Sequence, residues 1–334
     1  MPRAFVTGVA GFLGSHVADQ FGSLGWEVSG IDNLSGGSVT NVPEGVRFEP
    51  ADCLDAGSYN GLIQGADLVF HCAASAYDGL SLFSPALVYR DTVQATVEVV
   101  TAAVRAGVGR FVHCSSMSRY GAQPAPFTED LVPQPVTPYG LAKVASEKIV
   151  ANLFSTHGGE YAIAVPHSII GPRQRFDDPY RNVAAIMINR MLRGMQPVIY
   201  GDGSSVRCFS FVADVISCLA NMGLVREASG EIINVGPDEE SVTILQLAEH
   251  IAALLDFPLD PKFVAPRPGE VTYATCNSDK ARRTLGYRTT TTLDEGLQST
   301  IDWIARTGPR EFVYNLPLDI VNEHTPTTWV DRIM

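Results

Sequence analysis

The sequence predicts an α/β protein: a doubly wound, mostly parallel sheet with a smaller, discontinuous α/β lobe. Short apolar and β-branched runs alternate with longer amphipathic stretches through the first half of the chain, the order that covers a parallel sheet with helices on both faces. A glycine-rich turn separates the first such run from the first such stretch. Past Gly171 the texture changes, with Pro172, Pro179 and Pro197 set among loops rich in Gly and Asp. That change marks a second region closing over the edge of the sheet. At 334 residues the chain is long enough to build both.

Taken in order, the candidate strands are Ala4–Thr7, Val28–Asp32, Val46–Phe48, Leu68–Cys72, Phe111–Ser115 and Ala162–Val165. Amphipathic helices are expected between them at Gly14–Leu24 and Val88–Arg105. Two later helices carry start signals. Thr243 with Gln246, and Thr292 with Glu295, have capping-box spacing, and apolar residues follow at helical intervals (Leu247, Ile251 and Leu255; Leu297, Ile301 and Ile304). The tail from Phe312 to Met334 holds Tyr314, Leu316, Ile320, Trp329 and Ile333, and packs on its own domain or serves a partner.

Composition excludes several functions. The net charge of −12 and the lack of any Lys/Arg run argue against a nucleic-acid partner. An anionic substrate would need individually placed arginines. There is no apolar run near 18 residues and no secretory leader pattern, so a cytoplasmic protein without membrane attachment is expected. The six cysteines are scattered without a C-x-x-C pair, which fits reduced, buried thiols and no metal site.

The turn reads Thr7-Gly8-Val9-Ala10-Gly11-Phe12-Leu13-Gly14. Glycines at this spacing let the backbone turn tightly and approach a pyrophosphate at a helix N-terminus. The second strand ends at Asp32, eighteen residues past Gly14. A carboxylate there accepts hydrogen bonds from ribose hydroxyls and repels a 2′-phosphate, which favours NAD over NADP. Asp52 follows the third strand, within reach of an adenine amine. Ala73 and Ala74 leave room after the fourth.

Tyr139-Gly140-Leu141-Ala142-Lys143 sets a phenol and an ammonium four residues apart, on one helix face. A nearby Lys⁺ stabilises a phenolate. Ser116 stands at the end of the fifth strand, at the carboxyl edge where open α/β sheets bind ligands. These segments, with His71-Cys72-Ala73-Ala74 and Ser115–Gly121, resemble the extended short-chain dehydrogenase/reductase superfamily. Gly171-Pro172-Arg173-Gln174, Gly201-Asp202-Gly203 with Arg207, and Arg267-Pro268-Gly269-Glu270 narrow the resemblance to its NAD-dependent nucleotide-sugar epimerase/dehydratase family.

The resemblance implies a Rossmann domain over 1–171 and about 207–240, with a substrate lobe over about 172–206 and 241–334. It implies a nucleotide-diphosphate sugar as substrate, and a homodimer through helices near 88–105 and 139–156. Carried onto this chain, NAD would lie along Gly8, Gly11, Phe12, Leu13, Gly14, Asp32 and Asn33, then Asp52, Cys53, Ala73, Ala74 and Pro166. Tyr139 would be the acid/base, Ser116 would hydrogen-bond the same substrate oxygen, and Lys143 would hold the nicotinamide ribose. Arg207 and Arg267 would grip the diphosphate, while Ser168, Asn182, Tyr200 and Glu270 would line the substrate pocket.

The chain departs from the family pattern in places. Arg119 stands where a Val is usual, Ser168 where an Asn is usual and Val165 where an Arg is usual. His167 sits beside the expected nicotinamide position. Dehydratases of the family place Asp-Glu directly after the Ser/Thr, and here those positions are Met117 and Ser118. Without that acid and base, hydride removal and return through a keto-sugar is the simplest chemistry, most often at carbon 4. The alternatives are a 4,6-dehydratase or other extended short-chain dehydrogenase activity, and a non-catalytic dinucleotide-binding sensor.

Overall fold

The computed structural model describes residues 1–334. Strands β1 (Arg3–Thr7), β2 (Glu27–Asp32), β3 (Arg47–Pro50), β4 (Leu68–His71), β5 (Arg110–Cys114) and β6 (Glu160–Pro166) lie in one sheet. Four short strands leave it: β7 (Ile169–Ile170), β8 (Val198–Tyr200), β9 (Val206–Arg207) and β10 (Ser210–Phe211). β11 (Ile232–Val235) returns as the seventh member. The order β11-β6-β5-β4-β1-β2-β3 is parallel throughout. The winding therefore reverses between β1 and β4, and a crevice opens at their carboxyl ends.

β1 and β4 read as unbroken apolar runs because both faces of the sheet are covered. Ala4, Phe5, Val6, Leu68, Val69 and Phe70 are all buried. On one face pack α1 (Phe12–Ser23), α7 (Val212–Leu224) and α9 (Asp279–Leu285); on the other, α2 (Ala56–Ile63), α4 (Ala95–Arg105) and α5 (Pro138–His157). The helix expected from Val88 starts earlier and is interrupted. α3 (Pro85–Tyr89) runs into a π-helical turn at Arg90–Gln94 before α4 begins. Such turns cluster at functional sites, and here Asp91 accepts a 2.7 Å hydrogen bond from Ser75 Oγ on the cleft wall.

The lobe has its own core, formed by α6 (Val183–Leu192), α8 (Ile244–Leu254) and α10 (Leu293–Thr307). Both capping boxes are made. Thr243 Oγ1 accepts from Gln246 N at 3.0 Å and Gln246 Oε1 accepts from Thr243 N at 2.8 Å. Thr292 and Glu295 do the same at 3.3 and 2.8 Å. Each cap stabilises its helix by about 1 kcal/mol. α7 has no side-chain cap and β11 spans four residues, so neither announces itself locally. The tail packs on its own chain: Trp329, in α11 (Thr327–Val330), meets Phe83 and Tyr180 edge-on at 5.8 and 5.2 Å between centroids. No helix is long and apolar enough to cross a membrane.

Candidate active site

The crevice at the strand ends is a cleft of ≈ 640 Å³. Its shape depends on glycine. Gly8 has φ +71°, and a Cβ there would lie 2.9 Å from the Ala73 backbone nitrogen. A Cβ on Gly14 would run into the Gly8 carbonyl, so α1 packs this tightly on β1 only without one. Gly11 precedes α1 without a side-chain cap, leaving first-turn N–H groups to meet an anion. Gly8, Gly11, Phe12, Leu13, Gly14, Asp32, Asn33, Asp52, Cys53, Ala73 and Ala74 all face this cleft, with Pro166 at its far end. These walls fit a dinucleotide.

Asp32 is pinned at the end of β2 by Leu34 N (2.7 Å) and Ala10 N (3.1 Å). Burial raises its pKa, and those N–H donors oppose the rise. Asn33 Nδ2 donates to Asp52 Oδ2 at 2.9 Å, joining the ends of two neighbouring strands. Burial pushes the Cys53 thiol up to about 12, so it stays neutral.

α5 brings the catalytic candidates together. Thr137 caps it by accepting from Gly140 N at 3.1 Å, with Pro138 in the first turn. Tyr139 and Lys143 then stand one turn apart, facing the same cleft as Ser116. Lys143 Nζ donates to Cys114 O at 2.7 Å and lies 5.8 Å from the Tyr139 ring centroid. Burial raises the Tyr139 pKa, and the Ser116 hydroxyl pulls it back. Burial brings Lys143 down to about 8, opposed by Cys114, Cys72 and Glu147.

Behind this set, the unusual Arg119 finds its reason. Its guanidinium forms a fork with buried Glu147 (Nε–Oε1 3.0 Å, Nη2–Oε2 3.0 Å) and lies 4.8 Å from the Tyr120 ring centroid. Ser115 Oγ also donates to Glu147. Glu147 sits one turn past Lys143, so the ion pair ties the Ser115-Ser116 strand end to the helix bearing Tyr139.

A smaller cavity of ≈ 210 Å³ continues past Ser116 and Ser168. Arg207 and Arg267 converge there on Glu270, with Nη2–Oε1 distances of 3.8 and 3.5 Å. Arg267 Nε is buried without a partner. The Arg267 guanidinium lies 4.4 Å from the Tyr200 ring centroid, and the Tyr200 hydroxyl bonds to Thr328. Tyr200 thus sits beneath Arg267 and lines neither cavity. Asn182 borders the larger cleft as the cap of α6, accepting from Ala184 N (3.1 Å) and donating to Ile169 O (3.0 Å). His167 borders the smaller cavity, but its Nε2 donates to Pro237 O at 3.0 Å and Cys276 Sγ lies 3.1 Å from Nδ1. Burial lowers its pKa, so it is a neutral ring tied in place.

Among the charged residues on these walls that carry no motif, three link separate segments. Arg175 reaches Ser35 O (2.9 Å) and Arg181 reaches the Tyr77 hydroxyl (2.9 Å) on the walls of the larger cleft, and Arg181 also pairs with Asp178 (3.0 Å) three residues back in its own segment. Their signal in the sequence is a cluster of arginines at 173–181 in an acidic chain. The third is Asp78, whose Oδ2 accepts from Ser118 Oγ at 2.9 Å. Its signal is only an acidic residue in the loop leaving a strand's carboxyl end.

A glycine-built crevice at the switch point, an acidic strand end and a Ser-Tyr-Lys set define a dinucleotide-dependent enzyme of the short-chain dehydrogenase type. The chain matches the NAD dependent epimerase/dehydratase family over residues 4–236 and belongs to that family. It is 33% identical over 312 residues to a UDP-glucose 4-epimerase of Mycolicibacterium smegmatis, spanning 90% of this chain and 98% of that one. The UDP-glucose 4-epimerase of Thermotoga maritima, solved with UDP-glucose, superposes with a TM-score of 0.85 at 30% identity, covering 91% of this chain and 99% of that one. The UDP-glucuronic acid 4-epimerase of Bacillus cereus, solved with UDP-glucuronic acid and NAD, gives 0.85 at 26% identity, covering 92% and 100%. The cofactor of this chain is NAD.

Proposed function

We propose that this chain is a nucleotide-diphosphate-sugar epimerase acting at carbon 4 through a keto-sugar intermediate. The observation that carries the reading is Ser116 and Tyr139 facing one cleft at the boundary between the dinucleotide walls and the Arg207/Arg267 cavity. Residues 1–171 and about 207–240 hold NAD, and 172–206 with 241–334 close on the sugar nucleotide. α9, from the latter stretch, also packs Ala281 and Leu285 onto the sheet.

Bound NAD supplies the acceptor and donor of a hydride. Tyr139 takes the proton from the sugar hydroxyl and later returns it. Its buried phenol resists ionisation, so a cation must stand beside it, and Lys143 is this chain's own. Ser116 orients the sugar oxygen. Arg207 and Arg267 hold the diphosphate with Glu270 between them, and the sugar turns about that anchor to present its other face. Ser168 borders both cavities, beside the swing of the ketone. A cytoplasmic homodimer belongs to the same reading: Tyr89 and Leu141 are 60% and 58% exposed on the two helices expected to pair.

Product analysis in D₂O tests this. Nucleotide hexoses should give the carbon-4 epimer at equal mass, with no deuterium on carbon, because the hydride never exchanges with solvent. Loss of water would make the chain a dehydratase instead, whereas deuterium on a carbon beside the ketone without loss of water, located by NMR, would make it an epimerase at that acidic carbon rather than at carbon 4.

A further inference from the structure

The loop after β4 carries a carboxylate into the sugar end of the site. Its backbone is fixed, since Tyr77 and Leu80 on either side are buried and Tyr77 OH donates to Asp178 at 2.8 Å. Between them Asp78 is exposed, and it borders both cavities. One oxygen accepts from Ser118 Oγ at 2.9 Å and the other from Thr137 Oγ1. Ser118 is in turn bonded to Ser116 through its backbone N–H (3.2 Å) and its hydroxyl (3.3 Å). Thr137 caps the helix that bears Tyr139. Asp78 is therefore joined by single hydrogen bonds to the supports of both hydroxyls that face the reacting carbon.

Two hydrogen bonds leave an ionised carboxylate with accepting capacity to spare, and that capacity faces the cavity. The charges around it are limited. In the smaller cavity Arg207 and Arg267 face Asp78 and Glu270, which balance them one for one, and His167 is neutral. A nucleotide diphosphate brings further negative charge onto those two arginines. Along the larger cleft Arg90, Arg175 and Arg181 are already paired with Asp91, Asp177 and Asp178, and Lys143 is held at Cys114 O. Of these cations only Lys143 has no carboxylate partner, and it stands beside the Tyr139 ring.

We infer that Asp78 is a specificity-determining residue that selects neutral hexoses, accepting from their hydroxyls, and rejects sugars carrying a carboxylate at carbon 6. This rests on the epimerase reading. Like charges brought together in a partly closed site repel strongly, whereas a neutral diol gains a charge-assisted hydrogen bond.

The test compares kcat/KM for UDP-glucose and UDP-glucuronate in the NAD-loaded wild type, Asp78→Asn and Asp78→Ala. The wild type should prefer UDP-glucose by about a hundredfold, and each variant should shrink that preference by about tenfold or more. A purely structural role would slow both substrates alike and leave the ratio untouched, so an unchanged ratio in variants that retain NAD overturns the assignment. A wild type that accepts both sugars equally also overturns it. Turnover of neither sugar by NAD-loaded protein overturns this assignment, and a panel of other nucleotide hexoses then separates it from failure of the epimerase reading, which falls only if none is epimerised.

Discussion

The two halves of the cleft are built from different materials. On the dinucleotide side the walls are mostly backbone and short side chains at the ends of β1, β2 and β4, locked by sheet packing on both faces. On the side proposed for the sugar nucleotide, Arg207 of β9 and Arg267 of the later loop meet Glu270 at 3.8 and 3.5 Å, and Arg267 Nε has no partner. A buried unpaired donor costs about 1–3 kcal/mol, which on the proposed reading a phosphate oxygen would relieve.

The sharpest way to divide the halves is to remove chemistry without touching either. Tyr139→Phe keeps the ring in its buried seat and deletes only the hydroxyl. Turnover should fall by roughly 10²–10⁴, the usual scale for losing a general acid/base, while NAD released on denaturation stays at the wild-type amount. Near-normal turnover would move the proton transfer to another group and undo the boundary drawn at Tyr139.

A smaller effect sharpens the contrast from the sugar side. Arg207→Ala and Arg267→Ala should each weaken nucleotide-sugar binding by about 1.5–3 kcal/mol, the range for hydrogen bonds to charged groups, read as a raised KM with NAD content unchanged. Loss of NAD from either variant would mean that the lobe holds the cofactor too. An unaltered KM in both would place the diphosphate elsewhere.

The same contrast explains what the sequence could reveal. Gly8, Gly14 and Asp32 were legible because each answers a local constraint: a positive φ, a close helix–strand approach, a carboxylate at a strand end. Tyr139 and Lys143 followed from helical spacing. The sugar side was less legible because its roles arise between distant segments. Met117 and Ser118 suggested a site with no acid near Ser116, yet the fold brings in Asp78 from forty residues away to bond Ser118. Tyr200 gives its ring to Arg267 rather than to the cavity. Arg119, odd in its own segment, became intelligible only with Glu147 beside it, and losing either partner of such a buried pair costs about 3–5 kcal/mol.

The dinucleotide half should also respond to acid. His71 lies at the end of β4 with Nδ1 2.7 Å from Thr7 Oγ1 and Nε2 3.0 Å from Thr96 Oγ1. His113 stacks on it at 5.5 Å, with neither ring nitrogen partnered. Burial brings His71 down to about 3 and His113 well below its ordinary value, and Lys143 adds to both shifts. An unfolded histidine titrates near 6.5. Between that pH and about 3 the unfolded chain binds protons that folded His71 refuses, so stability is full above pH 6.5 and falls as the pH drops. At pH 5 His71 alone should cost on the order of 2 kcal/mol, and His113 adds in the same direction. Most carboxylates titrate below that point, so the window from pH 7.5 to 5 isolates the imidazoles. The thermal midpoint of the NAD-saturated protein should fall across it. A flat midpoint from pH 7.5 to 5 would show that the floor beneath the dinucleotide admits protons, and that this half is less closed than its packing indicates.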